Sequence, residues 1–227
     1  MYRPFDAFHI DGRFVSVIGS GGKTTFLRYL SQRLPGTVIL TTSTHMFPFA
    51  DVPLVNAGEE PSPENRRRVV QKLRDALRDS RVVGLGSLQA SGKLADPSAV
   101  IPFEALLDAA DYVVAEADGA AGRPLKAHRP YEPVVPACST MTVGVVGASG
   151  IGKPAALACH CPEIFCGLAG IGLDEPVQPA HVAAVVNQEA LATCWLVNQV
   201  DVLPDLGVAR QLCDLIDGDA LPCSLGR

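Results

Sequence analysis

The chain has 227 residues, 48% of them apolar and 19% charged, with a net charge of −5. That balance excludes an intrinsically disordered chain, which is charge-rich and apolar-poor, and the length suits one domain over residues 1–227 with a well-buried core. A negative chain has no field to attract nucleic acid or anionic lipid, and no apolar run reaches the roughly 18 residues of a membrane span.

From the N-terminus, residues 1–6 show neither the basic nor the apolar region of a signal peptide. Seven cysteines, an odd number gathered mostly in the last third, argue against a disulfide framework and for a reducing cytoplasm. Apolar, β-branched runs predict strands at 14–18, 38–42, 82–86, 112–117, 141–147, 193–198 and 220–223. Helices are expected at 24–34, 63–79, 102–110, 181–187 and 206–216, with 88–99 a polar loop. The strands read as continuous apolar runs, as parallel strands covered on both faces do. Strand–helix alternation of this kind predicts an α/β fold: a doubly wound, mostly parallel sheet with helices on both faces.

The first strand runs into Gly19-Ser20-Gly21-Gly22-Lys23-Thr24-Thr25 and then a helix. This is the setting of a phosphate-binding loop. Glycines let backbone N–H groups wrap phosphate oxygens, and the helix N-terminus adds its partial positive charge. Lys23 is expected to reach the β- and γ-phosphates and the Thr24 hydroxyl to ligate Mg²⁺. The full G-x-x-x-x-G-K-[ST] pattern is not met, because its first glycine falls on Val17. The shortened loop resembles the ATP loop of the Mur ligases. A second glycine stretch, 147–154, has the full spacing, but Pro154 replaces the metal-binding hydroxyl and removes a donor, so it is read as a loop lining the site.

Phosphoryl transfer needs carboxylates near the metal, and Glu116 and Asp118 end the strand at 112–117. Two apart on an extended strand, they face one side, where one would hold Mg²⁺ and the other orient a nucleophile. Polar capping of a strand end is the plainer alternative. Downstream, Arg123, Lys126 and His128 suit an anionic substrate. Thr42, Thr44 and His45 follow the second strand, at the edge where open α/β sheets bind ligands. Asn198-Gln199-Val200-Asp201 is similar to the N-K-x-D guanine-reading motif of GTPases, with Gln199 in the lysine position, so ATP and GTP both stay open. Cys159, His160, Cys161 and Cys166 invite a zinc or selenium reading, although no second cluster matches structural zinc spacing and free, partly buried thiols serve as well. Pro162 and Phe165 mark the start of an apolar surface helix. Arg66, Arg67 and Arg68 read as a solvated helix face.

Taken together, these blocks resemble the selenium-dependent hydroxylase accessory proteins, the YqeC-like family. The resemblance rests on the 19–25 loop, the 41–46 segment, 116–127, 132–136, 162–165 and 198–201, in that order. It implies a P-loop NTPase type of fold, with Lys23, Glu116 and Asp118 catalytic and Thr24, Glu116 and Asp118 around Mg²⁺. It also implies a role in maturing selenium-dependent molybdenum hydroxylases, with such a hydroxylase or selenium and molybdenum cofactor factors as partners. The residues leave two rivals: a small-molecule kinase or ATP-dependent ligase, and a non-hydrolysing nucleotide-bound scaffold. The chain departs from the family at Cys159 and Cys161, which flank His160, and in a short 187–193 segment.

Overall fold

The six residues of β1, Phe14–Gly19, are all buried, and they lie near the middle of the sheet. The computed structural model describes residue 10 and residues 12–225; the stretch read for a signal peptide lies outside them. In chain order follow α1 (Lys23–Ser31), β2 (Val38–Thr42), β3 (His45–Met46), β4 (Leu54–Asn56), α2 (Pro63–Asp79), β5 (Val82–Leu88) and β6 (Leu94–Ala95). Then come β7 (Tyr112–Glu116), β8 (Leu125–Lys126), β9 (Met141–Gly147), α3 (Ala155–Ala158) and β10 (Cys159–His160). The chain closes with α4 (Pro162–Ala169), α5 (Pro179–Glu189), β11 (Cys194–Asn198), α6 (Leu206–Leu215) and β12 (Asp219–Pro222).

The sheet order is β12-β11-β9-β1-β7-β2-β5, every neighbour parallel, with β4 parallel to the outer edge of β5. After β1 the chain builds one side of the sheet through β2, β5 and β7, then crosses to build β9, β11 and β12 on the other. β1 is therefore the point where strand order reverses, and the crevice above its C-terminal end is where such sheets take ligands. Register carries the site: Val17 lies opposite Glu116 on β7, and Gly19 opposite Val145 on β9.

Alternation along β1 divides the core. Val15 and Val17 pack with Phe26, Leu27 and Leu30 of α1 on one face. Phe14 points the other way, edge-on to Phe103 with ring centroids 5.9 Å apart, in a cluster with Val69 and Leu73 of α2. The far half of that face is covered by α4, α5 and α6 over Trp195 and Val197. An α/β sheet, mostly parallel and helix-covered on both faces, is thus the fold of this chain. Among the described residues no helix is long and apolar enough to cross a membrane.

The structure departs from expectation at several places. Segment 102–110 forms tight 3₁₀ turns over Phe103–Asp108, closed by i→i+3 bonds such as Ala109 N to Leu106 O at 3.0 Å, because burying Phe103 and Leu106 under β1 leaves room for a short element alone. The loop at 88–99 contains β6, which runs antiparallel to β5 and to β3. α5 extends to Pro179–Glu189, since Gln178 and His181 form a reciprocal cap ahead of the expected start. α4 is an eight-residue helix, and its Phe165 is 1% exposed, a core residue rather than a surface one. Arg66, Arg67 and Arg68 lie exposed on α2.

Candidate functional site

The turn after β1 is held open by glycine. Gly19, Gly21 and Gly22 have φ of 89°, 82° and 133°. A Cβ on Gly21 would come within 2.3 Å of Gly147 Cα, and one on Gly22 within 2.3 Å of Asn198 Nδ2, so both sites need the bare backbone. The loop is clasped from both flanks: Ser20 N donates to Val145 O at 2.8 Å, and Asn198 Nδ2 donates to Gly21 O at 2.8 Å. α1 begins at Lys23 with no side-chain cap and no acidic residue in its first turn. Its first N–H groups therefore keep their capacity for an anion. Ser20 Oγ is buried and makes no hydrogen bond, a further polar atom of this loop without a partner in the fold.

Three side chains meet above the loop. Lys23 Nζ donates to Gly19 O at 2.7 Å and lies 3.1 Å from Asp118 Oδ1 and 3.7 Å from Glu116 Oε1. Thr24 Oγ1 donates to Glu116 Oε2 at 3.1 Å. Both acids thus face Lys23, but their environments differ. Glu116 ends β7, and burial pushes its pKa up against the opposing pull of Lys23 and Thr24. Asp118 has no exposed surface, yet it is held down at about 2. Burial works against its ionisation, and the hydrogen bond from His128 with the charges of Lys23 and Lys126 outweighs that cost.

Asp118 Oδ2 is surrounded: it accepts from Gly19 N at 2.8 Å, and His128 Nε2 and Lys126 Nζ lie 2.8 and 3.2 Å away. Lys126 also pairs with Glu132 at 3.0 Å and donates to Gly119 O at 2.5 Å. The far nitrogen of His128, Nδ1, is 2.8 Å from Glu189 Oε2, and its backbone N–H donates to Glu189 Oε1 at 2.6 Å. A ring with a carboxylate oxygen at each nitrogen favours the imidazolium. Burial disfavours that charge, but the two carboxylates more than restore it and raise the pKa above 6.5.

A cleft of about 640 Å³ opens over this cluster, lined by Gly21 to Thr25, Glu116, the 119–124 loop and, opposite, His45, Phe47 and Lys93. A second lobe of about 310 Å³ adjoins it, lined by Asn198, Asp201 and Ser224 and sharing Gly22, Thr25, Ser149 and Gln199 with the first. His45 and Arg123 are exposed on the larger lobe. Thr42 and Thr44 are placed differently: Thr42 Oγ1 donates to Glu116 O at 2.9 Å and accepts from Thr44 N at 3.0 Å, so they brace the end of β7. Lys126 and His128 are likewise buried behind the cleft, where their charges pair with Asp118, Glu132 and Glu189 instead of meeting a substrate. Loop 147–150 contributes Ser149, whose hydroxyl donates to Gln199 Oε1 at 2.6 Å. Asp201 accepts from Ser224 Oγ at 2.5 Å.

Comparison with known proteins now bears on these residues. A family model described as YqeC protein matches residues 15–163. The chain belongs to the YqeC family. It is 29% identical over 180 residues to the uncharacterized protein YqeC of Escherichia coli (strain K12), a match spanning 76% of this chain and 67% of that relative. No solved structure matches. The span matched by the YqeC family model contains Gly19 to Thr25, Glu116, Asp118 and His128, whereas Glu189, Asn198 and Asp201 lie beyond it.

Of two further acids of this YqeC-family site, Glu132 opens the 132–136 block but nothing in that block tells of its pairing with Lys126, and Glu189 carries no motif that sequence reading could seize. Glu189 sits at the end of α5, in the stretch that looked short against the family, and only packing brings it 61 positions back to His128. Cys159, Cys161 and Cys166 do not line either lobe of the cleft. All three are buried, and burial pushes Cys159 up to about 12. Among the described residues no group of three or more His, Cys, Asp and Glu side chains is arranged to hold a metal.

Proposed function

We propose that this YqeC-family chain binds and hydrolyses a magnesium nucleoside triphosphate, and that it acts as an accessory factor in maturing selenium-dependent molybdenum hydroxylases. The observation that carries the nucleotide reading is the meeting of Lys23 and Thr24, at an uncapped helix start, with Glu116 on the neighbouring strand under one cleft. The maturation role rests on the family resemblance.

The donors suit the group. Mg²⁺ takes oxygen ligands and is usually held by one or two carboxylates plus substrate phosphates. The Thr24 hydroxyl and Glu116 carboxylate are oxygen donors facing each other at 3.1 Å. When bound, the ion would supply charge neutralisation at the phosphates. Lys23 places its ammonium where charge develops on the transferred phosphoryl group. Asp118 anchors that ammonium and the Gly19 N–H together, so its role is to position Lys23 while Glu116 serves the metal. Asn198, bonded to Gly21 O, shapes the loop, while Gln199 and Asp201 on the smaller lobe are the side chains that would meet the base.

Titration calorimetry with Mg·ATP and Mg·GTP, with phosphate release alongside, tests this reading. Lys23→Ala is expected to weaken binding at least about tenfold and turnover by about 100-fold or more. A variant that binds and turns over like the wild type would sink the assignment. Loss of client hydroxylase maturation in cells carrying Lys23→Ala is the matching test of the accessory role.

A further inference from the structure

The two lobes meet beyond the end of β1, where they share Gly22, Thr25, Ser149 and Gln199. The smaller one sits over the end of β11, and the larger spreads over β7 and β2 to a wall made by β3 and the turn before β6. The phosphate loop is their junction. Thr24, Lys23 and Glu116, the residues that would meet a terminal phosphate, line the larger lobe and not the smaller. A nucleotide whose base occupies the smaller lobe therefore directs its reacting end into a chamber that still has a far wall of its own.

That wall has distinct chemistry. Phe47 is 61% exposed, unusual for a phenylalanine, and Lys93 Nζ stands 5.1 Å from its ring centroid. Arg123 faces the same space; it donates through Nη1 to Leu157 O, which orients the guanidinium and leaves its other N–H groups to a ligand. Among the described lining residues Glu116 is the sole acid and is paired with Lys23, while Lys93 and Arg123 add two further cations, in a chain with net charge −5. Local charge thus runs opposite to the whole protein. The antiparallel pairing of β6 with β5 and β3 is what holds Phe47 and Lys93 in place.

We propose that the larger lobe is a second-substrate site for a small, flat, unsaturated anion. Its planar body lies on Phe47, and its carboxylate or phosphate is held between Lys93 and Arg123. This placement rests on the nucleotide reading above, and it makes the protein a two-substrate enzyme rather than a plain hydrolase.

Pyridoxal 5′-phosphate is a suitable probe, being flat and anionic and forming an imine with a nearby lysine that borohydride traps. Peptide mass spectrometry then reads Lys93 against Lys72 and Lys153, which are exposed elsewhere. With saturating Mg·ATP present, Lys93 is expected to be modified at about tenfold lower probe concentration than Lys72 or Lys153. That advantage should disappear in Phe47→Ala and in Arg123→Ala, both surface changes. Equal labelling of the three lysines, or a preference for Lys93 that survives both variants, overturns the proposal. So does full protection of Lys93 by Mg·ATP, since the nucleotide would then fill the lobe itself. Lys23 in the same digests reports separately on the nucleotide: if neither Mg·ATP nor Mg·GTP protects it, the nucleotide reading fails, whatever Lys93 shows.

Discussion

His128 Nε2 lies 2.8 Å from Asp118 Oδ2, and both side chains are almost wholly removed from solvent. Through this contact the end of α5, by way of Glu189, is tied to the backbone of the glycine loop at Gly19. In this buried cluster Lys23, Lys126 and His128 each lie against Asp118, with Glu116, Glu132 and Glu189 as further partners, and such pairing is the condition for keeping charges inside a protein.

The pH dependence of stability follows from the two shifts. Asp118 is held at about 2, below its usual 3.8, so its contribution is complete above 3.8 and is lost as pH falls toward 2. His128 is raised above 6.5, so its contribution is complete below 6.5 and is lost as pH rises through the raised value. Urea denaturation across pH should show both limbs in the wild type. In His128→Gln the alkaline limb should vanish, with a loss of about 3 kcal/mol or more at pH 6. A His128→Gln protein as stable as the wild type at pH 6 would show that the imidazolium is not structural.

The two acids are expected to separate. Asp118→Asn leaves Lys23, Lys126 and His128 facing a neutral amide and should cost about 3–5 kcal/mol. Glu116→Gln removes a carboxylate that burial already disfavours, so thermal stability should hold or rise slightly while magnesium-dependent nucleotide binding weakens. Calorimetric melting with and without Mg·ATP reads both effects. Equal stability losses for the two variants would contradict the division of roles.

Gly22 and Asn198 should behave as one unit. Gly22→Ala forces a side chain into φ 133° and against Asn198 Nδ2, at a cost of about 1–3 kcal/mol. Asn198→Ala releases both Gly21 O and the Leu225 N–H, which Asn198 Oδ1 accepts at 3.0 Å, and should cost a similar amount. Because both changes break the same clasp, the double variant should lose less than the sum. Simple additivity in a denaturation cycle would argue that the loop is held some other way.

Asp201→Asn tests the base. Asp201 lines the smaller lobe, and a carboxylate there accepts from guanine N1–H and N2–H₂, donors that adenine lacks. Competition binding should show a GTP preference in the wild type that falls about tenfold or more in the variant. An unchanged ratio of GTP to ATP affinity would remove guanine recognition from this position.

Legibility in the sequence followed the range of the forces involved. The loop from Gly19 to Thr25 is local: strand, glycines, lysine, hydroxyls and helix are consecutive, so it could be read before any folding was known. Glu116 and Asp118 share that advantage at the end of an apolar run. Lys126 and His128 misled, because a cationic loop reads as substrate-facing until the carboxylates that neutralise it are located. Those partners, Asp118, Glu132 and Glu189, are set by packing; for Glu189 the separation from His128 is 61 positions. The polar stretch at 88–99 hid β6 for a related reason, since a two-residue strand has no periodicity and exists only because β5 and β3 flank it.

The amino-acid sequence by itself determined an α/β chain with buried parallel strands and a glycine loop opening a helix, because apolar runs and turn residues act over a few neighbouring positions. Only the tertiary structure decided which acid holds Lys23 and which faces Thr24. It also decided that His128 lies between the carboxylates of Asp118 and Glu189 in the interior, and that the cleft has two lobes. These outcomes depend on strand order around β1 and on burial, which desolvates charges and forces each to find a partner from a distant part of the chain.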